Sequence, residues 1–185
     1  MIAATDLKKG MAIELDGRLY AILDFQHIKM GRGSAQVRLK MKDIRAGHIT
    51  ERTFQAGEKF SQVQLELSNA QYLYQDGDFY HFMDQETYEQ PAVKADVLGD
   101  SAQYLKPEME VKLTFYQGEP IDVELPLTID LLVTRAEPAV RGNTATGVTK
   151  KVETETGLEV QVPAFVEESD VIRVDTRSGS YVTRA

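Results

Sequence analysis

Two strand-like runs flank the segment His27-Ile28-Lys29-Met30-Gly31-Arg32-Gly33-Ser34-Ala35-Gln36. The run before it, residues 19–25, is short and apolar, as in many strands. Over residues 35–42, after it, four apolar residues alternate with four polar ones, which is the period of a half-buried strand. We therefore predict a β-hairpin whose tip lies within the quoted segment.

At this tip, Arg32 is the single residue between two glycines, Gly31 and Gly33. Glycine accepts positive φ and has no side chain, so Gly31 and Gly33 permit a tight reversal of the chain. The local pattern suits either an ordinary surface turn or a basic group presented to an anion. Charge on the following strand favours the second interpretation, because three cations recur on one side of it. These are Arg38, Lys40 and Lys42.

The remainder of the chain predicts an all-β protein. No long segment has an apolar period of 3.6 residues, and Gly, Asp and Pro interrupt the chain at short intervals. We predict three small β-barrel domains, at residues 1–64, 65–127 and 128–185. The number of strands predicted for the second and third domains, given their length, is typical of OB folds.

Charge is unevenly distributed within a net charge of −8. Residues 1–64 contain 11 Lys and Arg and 7 Asp and Glu, whereas residues 65–127 contain 3 and 13. An acidic segment repels phosphate at long range, so a general nucleic-acid binder is disfavoured. We infer that the basic first segment approaches RNA. The many aromatic residues of the second segment are interpreted as core and cross-strand packing.

The composition supports no catalytic or metal-binding site. Cysteine is absent, so no disulfide, thiol nucleophile or zinc knuckle can form. His27, His48 and His81 are scattered, and no nucleophile–histidine–acid set is recognisable. The Gly-rich loop at 142–147 lacks the Gly-Lys-Ser/Thr ending of a P-loop. We expect no enzymatic activity, cofactor or metal. With no signal-peptide pattern and no apolar run near 20 residues, a cytoplasmic location without membrane contact is expected.

Along essentially its whole length, the chain resembles bacterial elongation factor P, a family related to archaeal and eukaryotic initiation factor 5A. The resemblance rests on short motifs dispersed in one order through all three predicted domains. They include KMGRGSA at 29–35, ERTF at 51–54, QYLY at 71–74, ETYEQ at 86–90, VRG at 140–142, GLEVQVP at 157–163 and VDTRSG at 174–179.

The resemblance implies an N-terminal KOW/SH3-like barrel and two OB domains in an L-shaped, tRNA-like arrangement. It implies binding to both ribosomal subunits between the peptidyl and exit sites, and relief of stalling at consecutive prolines. The tip, residues Lys29 to Ser34, would then reach the CCA end of peptidyl-tRNA. A loop of the third domain would face the exit-site codon. Its residues are Arg141, Gly142, Asn143 and Thr144.

Two positions depart from common family patterns. Many members carry a modified lysine at the tip, where this chain has Arg32, so a lysine-directed modification is excluded. Rhamnosylation of Arg32 by a modifying enzyme and action of the bare guanidinium both stay open. Asn143 stands where relatives often have aspartate. The asparagine amide keeps an acceptor oxygen but lacks the negative charge of a carboxylate.

A general RNA-binding or ribosome-assembly module is the alternative function. Such a module loses affinity roughly in proportion to the cations removed, whichever they are. A tip-dependent factor loses function at Arg32 and keeps most of its affinity. In either case we expect a monomer.

Overall fold

The first sheet contains the predicted hairpin. The computed structural model describes residues 1–29, 31, 33–139 and 147–185. Within them, six strands form this sheet in the spatial order β1-β6-β2-β3-β4-β5. They are β1 (Ile2–Ala3), β2 (Ala12–Leu15), β3 (Arg18–Ile28), β4 (Gln36–Asp43), β5 (Ile49–Gln55) and β6 (Lys59–Val63). A 3₁₀ turn, Ala4–Asp6, follows β1.

A two-residue turn joins β2 to β3, as the Asp16-Gly17 pair predicts. Both residues have positive φ, 53° and 73°, which is the backbone that a type I′ hairpin turn requires. Glycine adopts it without strain and aspartate is among the residues that tolerate it. The turn sets the register of β3, which continues past the end of β2 as the first strand of the long hairpin.

Apolar residues of all six strands and of the first turn pack together beneath this sheet. The buried set is Ala4, Leu7, Ile13, Tyr20, Ile22, Val37, Leu39, Met41, Phe54 and Phe60. The alternate residues of β4 supply three of the most deeply buried members, as the period of two predicts. The base of the hairpin is therefore part of a packed core.

The second sheet has five strands in the order β11-β10-β7-β8-β9. They are β7 (Glu66–Asp76), β8 (Phe79–Asp84), β9 (Ala92–Lys94), β10 (Glu110–Tyr116) and β11 (Glu119–Glu124). Between β9 and β10 lie a one-turn helix, α1 (Ala95–Leu98), and a 3₁₀ segment, Gly99–Tyr104. This helical segment was not predicted, because four residues are too few to show a helical period.

The third sheet also has five strands, in the order β14-β13-β12-β15-β16. They are β12 (Thr128–Ala136), β13 (Thr149–Thr154), β14 (Glu159–Pro163), β15 (Val171–Asp175) and β16 (Tyr181–Arg184). Inward-facing residues of β12 and β15, such as Leu131 and Ile172, are fully buried. The prediction of an all-β chain with three β domains is confirmed.

By compactness the described chain divides into two units. The first comprises Met1–Leu67 with Thr114–Asp122, and the second comprises Ser68–Leu113 with Val123–Ala185. In the first unit, Ile121 is buried with Ala12, Leu19 and Ile44. The tip of the β10–β11 hairpin thus completes an apolar cluster on the first sheet. The boundaries predicted after residues 64 and 127 fall between sheets and stay a prediction.

No helix among the described residues has both the length and the apolar character needed to cross a membrane.

Candidate functional site

The β3–β4–β5 ladder positions the predicted tip. Pairing between β3 and β4 runs to Ile28 opposite Gln36, and Gln36 in turn lies opposite Gln55 of β5. The Ser34 hydroxyl donates a 2.7 Å hydrogen bond to Gln55 Oε1. The backbone N–H of Ala56 donates to the Ala35 carbonyl at 2.9 Å. Three strands and these two bonds therefore hold the base of the tip.

The described part of the tip is exposed. Lys29, Gly31, Gly33 and Ser34 all lie at the surface. Met30 and Arg32, which the sequence analysis also assigns to the tip, lie outside the described residues. Their roles stay predictions.

The three cations predicted to share one face of β4 do so. Val37, Leu39 and Met41 point into the core and are fully buried. The alternate side chains of Arg38 and Lys40 are exposed, and that of Lys42 is half-buried.

Cross-strand neighbours make the charge on this face uneven. Lys40 lies between Asp24 of β3 and Glu51 of β5, directly opposite both. Arg38, one row nearer the tip, lies between Gln26 and Thr53, which are neutral. Positive charge is therefore offset in the middle of the ladder and uncompensated by neighbouring strands near the tip. This difference was not predicted, because it depends on the register of three strands.

An aromatic pair near the tip was also missed. Phe25 and His27, on the core-side face of β3, lie edge to face with ring centroids 5.6 Å apart and an interplanar angle of 84°. His27 is exposed, and Phe25 keeps 38% of its surface accessible. Their spacing of two residues on a predicted strand places them on one face, so the signal was present in the sequence.

The second predicted site lies in the connection between β12 and β13. Its four residues lie outside the described part of the chain. They are Arg141, Gly142, Asn143 and Thr144. On the adjoining strand β13, Lys151 Nζ bonds Glu159 Oε2 at 2.7 Å. That hydrogen bond raises the pKa of Lys151 above its usual value. The charge of Lys151 is thus already paired.

No group of three or more His, Asp and Glu residues within the described ranges is arranged to hold a metal ion.

This architecture places the chain in the class of proteins built from small β domains. Small β-barrels of the OB type are recurrent oligonucleotide-binding folds. Here one β domain presents a basic hairpin, and an acidic β domain follows it.

Comparisons with known proteins identify the family. Three family models match in order: the elongation factor P KOW-like domain over residues 3–60, the elongation factor P OB domain over 65–123, and the elongation factor P C-terminal model over 129–184. Elongation factor P of Moorella thermoacetica is 48% identical over 185 residues, covering 100% of both chains. That of Coprothermobacter proteolyticus is 49% identical over 184 residues, covering 100% of this chain and 99% of that protein.

Solved structures of more distant proteins resemble parts of the chain. A Methanococcus jannaschii structure titled eukaryotic translation initiation factor 5A is 23% identical, with a TM-score of 0.47. It covers 66% of this chain and 94% of that one.

The chain belongs to the elongation factor P family. Its role is that of a translation elongation factor, and the family is one of translation factors that interact with the ribosome. It is not a family of classical enzymes.

Proposed function

We propose that this chain binds both ribosomal subunits between the peptidyl and exit sites. There it stimulates peptide-bond formation and relieves stalling at consecutive prolines. Its partners are the ribosome and peptidyl-tRNA, and it acts as a monomer. The proposal is supported by 48% identity to a relative over the full length of both chains.

The observation that carries the proposal is the anchored basic hairpin. The chain is paired on both sides of β4 up to Gln36, so the base of the tip loses little conformational entropy when a partner binds. In the proposed complex, the Arg32 guanidinium reaches the CCA end of peptidyl-tRNA. A guanidinium offers five donors in a fixed plane to phosphate or ribose oxygens.

The chemistry would come from the ribosome in this proposal. Proline is a poorly placed substrate, and restraining the peptidyl-tRNA lowers the entropic part of the barrier. Arg141 to Thr144 of the third domain would contact RNA near the exit-site codon. Asn143 would do so through its amide.

The test is synthesis of a polyproline peptide in a reconstituted translation system. Wild-type chain is compared with Arg32→Ala, and Arg45→Ala serves as the matched control. Arg45 is an exposed arginine of the first unit, and its guanidinium lies 4.0 Å from the carboxylate of Glu119. We expect wild type and Arg45→Ala to relieve the stall and Arg32→Ala to fail, while all three pellet with ribosomes.

Two outcomes change the proposal. If both arginine variants lose ribosome binding and activity to the same extent, the general RNA-binding alternative is favoured. If unmodified wild type fails, the assay is repeated with protein from its native cell, whose intact mass shows whether Arg32 carries a sugar. Failure of that material contradicts the proposal.

A further inference from the structure

The proposed function gives no role to the exposed aromatic pair on β3, Phe25 and His27. In an edge-to-face pair, one ring presents its edge to the other, so flat ring surface is left unused. Phe25 and His27 both remain accessible to solvent despite lying on the core-side face. Aromatic rings with an open face are the usual platforms on which unpaired nucleobases stack.

The surroundings of the pair suit a polyanion. The ladder rows at this end of the hairpin run from Phe25–Leu39–Arg52 to Ile28–Gln36–Gln55. The twelve residues in these four rows include no Asp or Glu. Arg52 belongs to the first of these rows. Its guanidinium lies 3.4 Å from the carboxylate of Asp16, which is outside the ladder. Lys29, beyond these rows, carries further positive charge, whereas Arg38 lies on the opposite face of the ladder from Phe25 and His27.

The backbone beneath the pair is preorganised. Phe25 lies opposite Leu39, and His27 lies opposite Val37. Both of these β4 residues are fully buried. A platform supported by a packed core loses little freedom when a base stacks on it, unlike an aromatic residue on a loop.

A second exposed aromatic pair provides a contrast. Tyr74 and His81 of the β7–β8 hairpin stack with centroids 4.6 Å apart and an interplanar angle of 17°. Tyr74 is 52% exposed, so it matches Phe25 in being accessible. However, the hairpin carries Asp76 and Asp78, and residues 65–127 contain only 3 cations against 13 acids. Charge therefore separates the two pairs.

We propose that Phe25 and His27 form a stacking site for an unpaired base at the 3′ end of the tRNA that the hairpin approaches. The inference rests on the proposed function for the identity of that RNA. Lys29 and Arg52 bind backbone phosphate, and the ring pair holds a base. Together they give the hairpin a second point of contact with the RNA end, separate from Arg32.

The test uses ribosomes that carry, in the peptidyl site, a tRNA whose terminal adenosine is replaced by 2-aminopurine riboside. Stacking changes the fluorescence of this base. We expect wild type and Phe25→Tyr to change the signal, because both have a ring at position 25. Phe25→Leu and His27→Leu keep apolar bulk but lose a ring, and each is expected to reduce the change at least threefold. Tyr74→Leu is the matched control and is expected to behave as wild type.

Thermal melts identify any variant that fails to fold, and the two independent leucine substitutions keep the test decisive.

A photoreactive benzoyl group on the residue 25 side chain provides a second readout. Cross-linking to the tRNA 3′ end supports the inference, and cross-linking to a ribosomal protein overturns it. The inference is also overturned if both leucine variants match wild type while wild type relieves polyproline stalling, an outcome that leaves the proposed function intact. If wild type itself gives neither signal nor relief, the proposed function fails and this inference fails with it.

Discussion

Asp84 shows how a single side chain organises a turn in this protein. The carboxylate accepts hydrogen bonds from the Ser68 hydroxyl and from the backbone N–H groups of Glu86 and Thr87, the latter two at 2.7 and 2.8 Å. The Ser68 bond, followed by the two backbone bonds, lowers the pKa of Asp84 to about 2. One carboxylate thereby satisfies three donors, two of which are backbone N–H groups of the turn that follows β8.

The lowered pKa predicts a pH dependence. Because the folded-state pKa lies below the ordinary value of 3.8, the stabilisation from Asp84 is present above about pH 4. It is lost as the pH falls from 3.8 toward 2. We expect the Asp84 carboxyl to titrate near 2 in wild type and closer to 3.8 in Ser68→Ala, as measured by NMR. Identical titration midpoints in the two proteins would contradict the assigned cause.

The β3–β4–β5 ladder decides how the cations of one strand differ from one another. Lys40 lies directly opposite two carboxylates, whereas Arg38 lies opposite an amide and a hydroxyl. Opposite charges on neighbouring strands attract one another, and they also cancel at a distance. Arg38 therefore presents more net positive charge to an approaching polyanion than Lys40 does.

This difference predicts unequal effects of two neutralising substitutions. Arg38→Gln should weaken ribosome binding more than Lys40→Gln, and it should lower the slope of log affinity against log salt by about one. Binding measured over a series of salt concentrations checks both expectations. Equal losses for the two variants would mean that Asp24 and Glu51 do not offset Lys40. Circular dichroism of each variant controls for an altered fold.

For the whole molecule, the β10–β11 hairpin links segments that are distant in sequence. Ile121 is 4% exposed, and it is packed with buried residues of the first sheet. The first barrel thus buries part of its apolar surface against residues more than 50 positions beyond its last strand, β6. Its stability depends on chain that belongs, by sequence order, to the second sheet.

Removal of the Ile121 side chain should destabilise the first sheet. Ile121→Ala leaves a cavity against Ala12, Leu19 and Ile44 and is expected to cost about 2–5 kcal/mol. Hydrogen exchange should accelerate in β2 and β3. Val123→Ala, which truncates a buried neighbour assigned to the second unit, is the matched control and should leave exchange in β2 and β3 unchanged. Unchanged exchange in Ile121→Ala would contradict the packing role of the hairpin.

Local patterns were sufficient for much of the fold. The alternation over residues 35–42 predicts strand β4, and the Asp16-Gly17 pair predicts the turn between β2 and β3, both of which the structure contains. Strands such as β6 (Lys59–Val63) and β9 (Ala92–Lys94) were not predicted, because short runs carry too few repeats of the period. The helix at Ala95–Leu98 was missed for the same reason.

Sequence patterns predict the class of fold, the hairpin at residues 27–36 and the shared face of Arg38, Lys40 and Lys42. These follow from turn chemistry and from a period of two, which act over a few residues. Three other features emerge only in the folded chain: carboxylates flank Lys40, the rings of Phe25 and His27 remain exposed, and Ile121 completes an apolar cluster on the first sheet. Each of these depends on strand register or on packing between segments far apart in the chain, and no local pattern encodes such contacts.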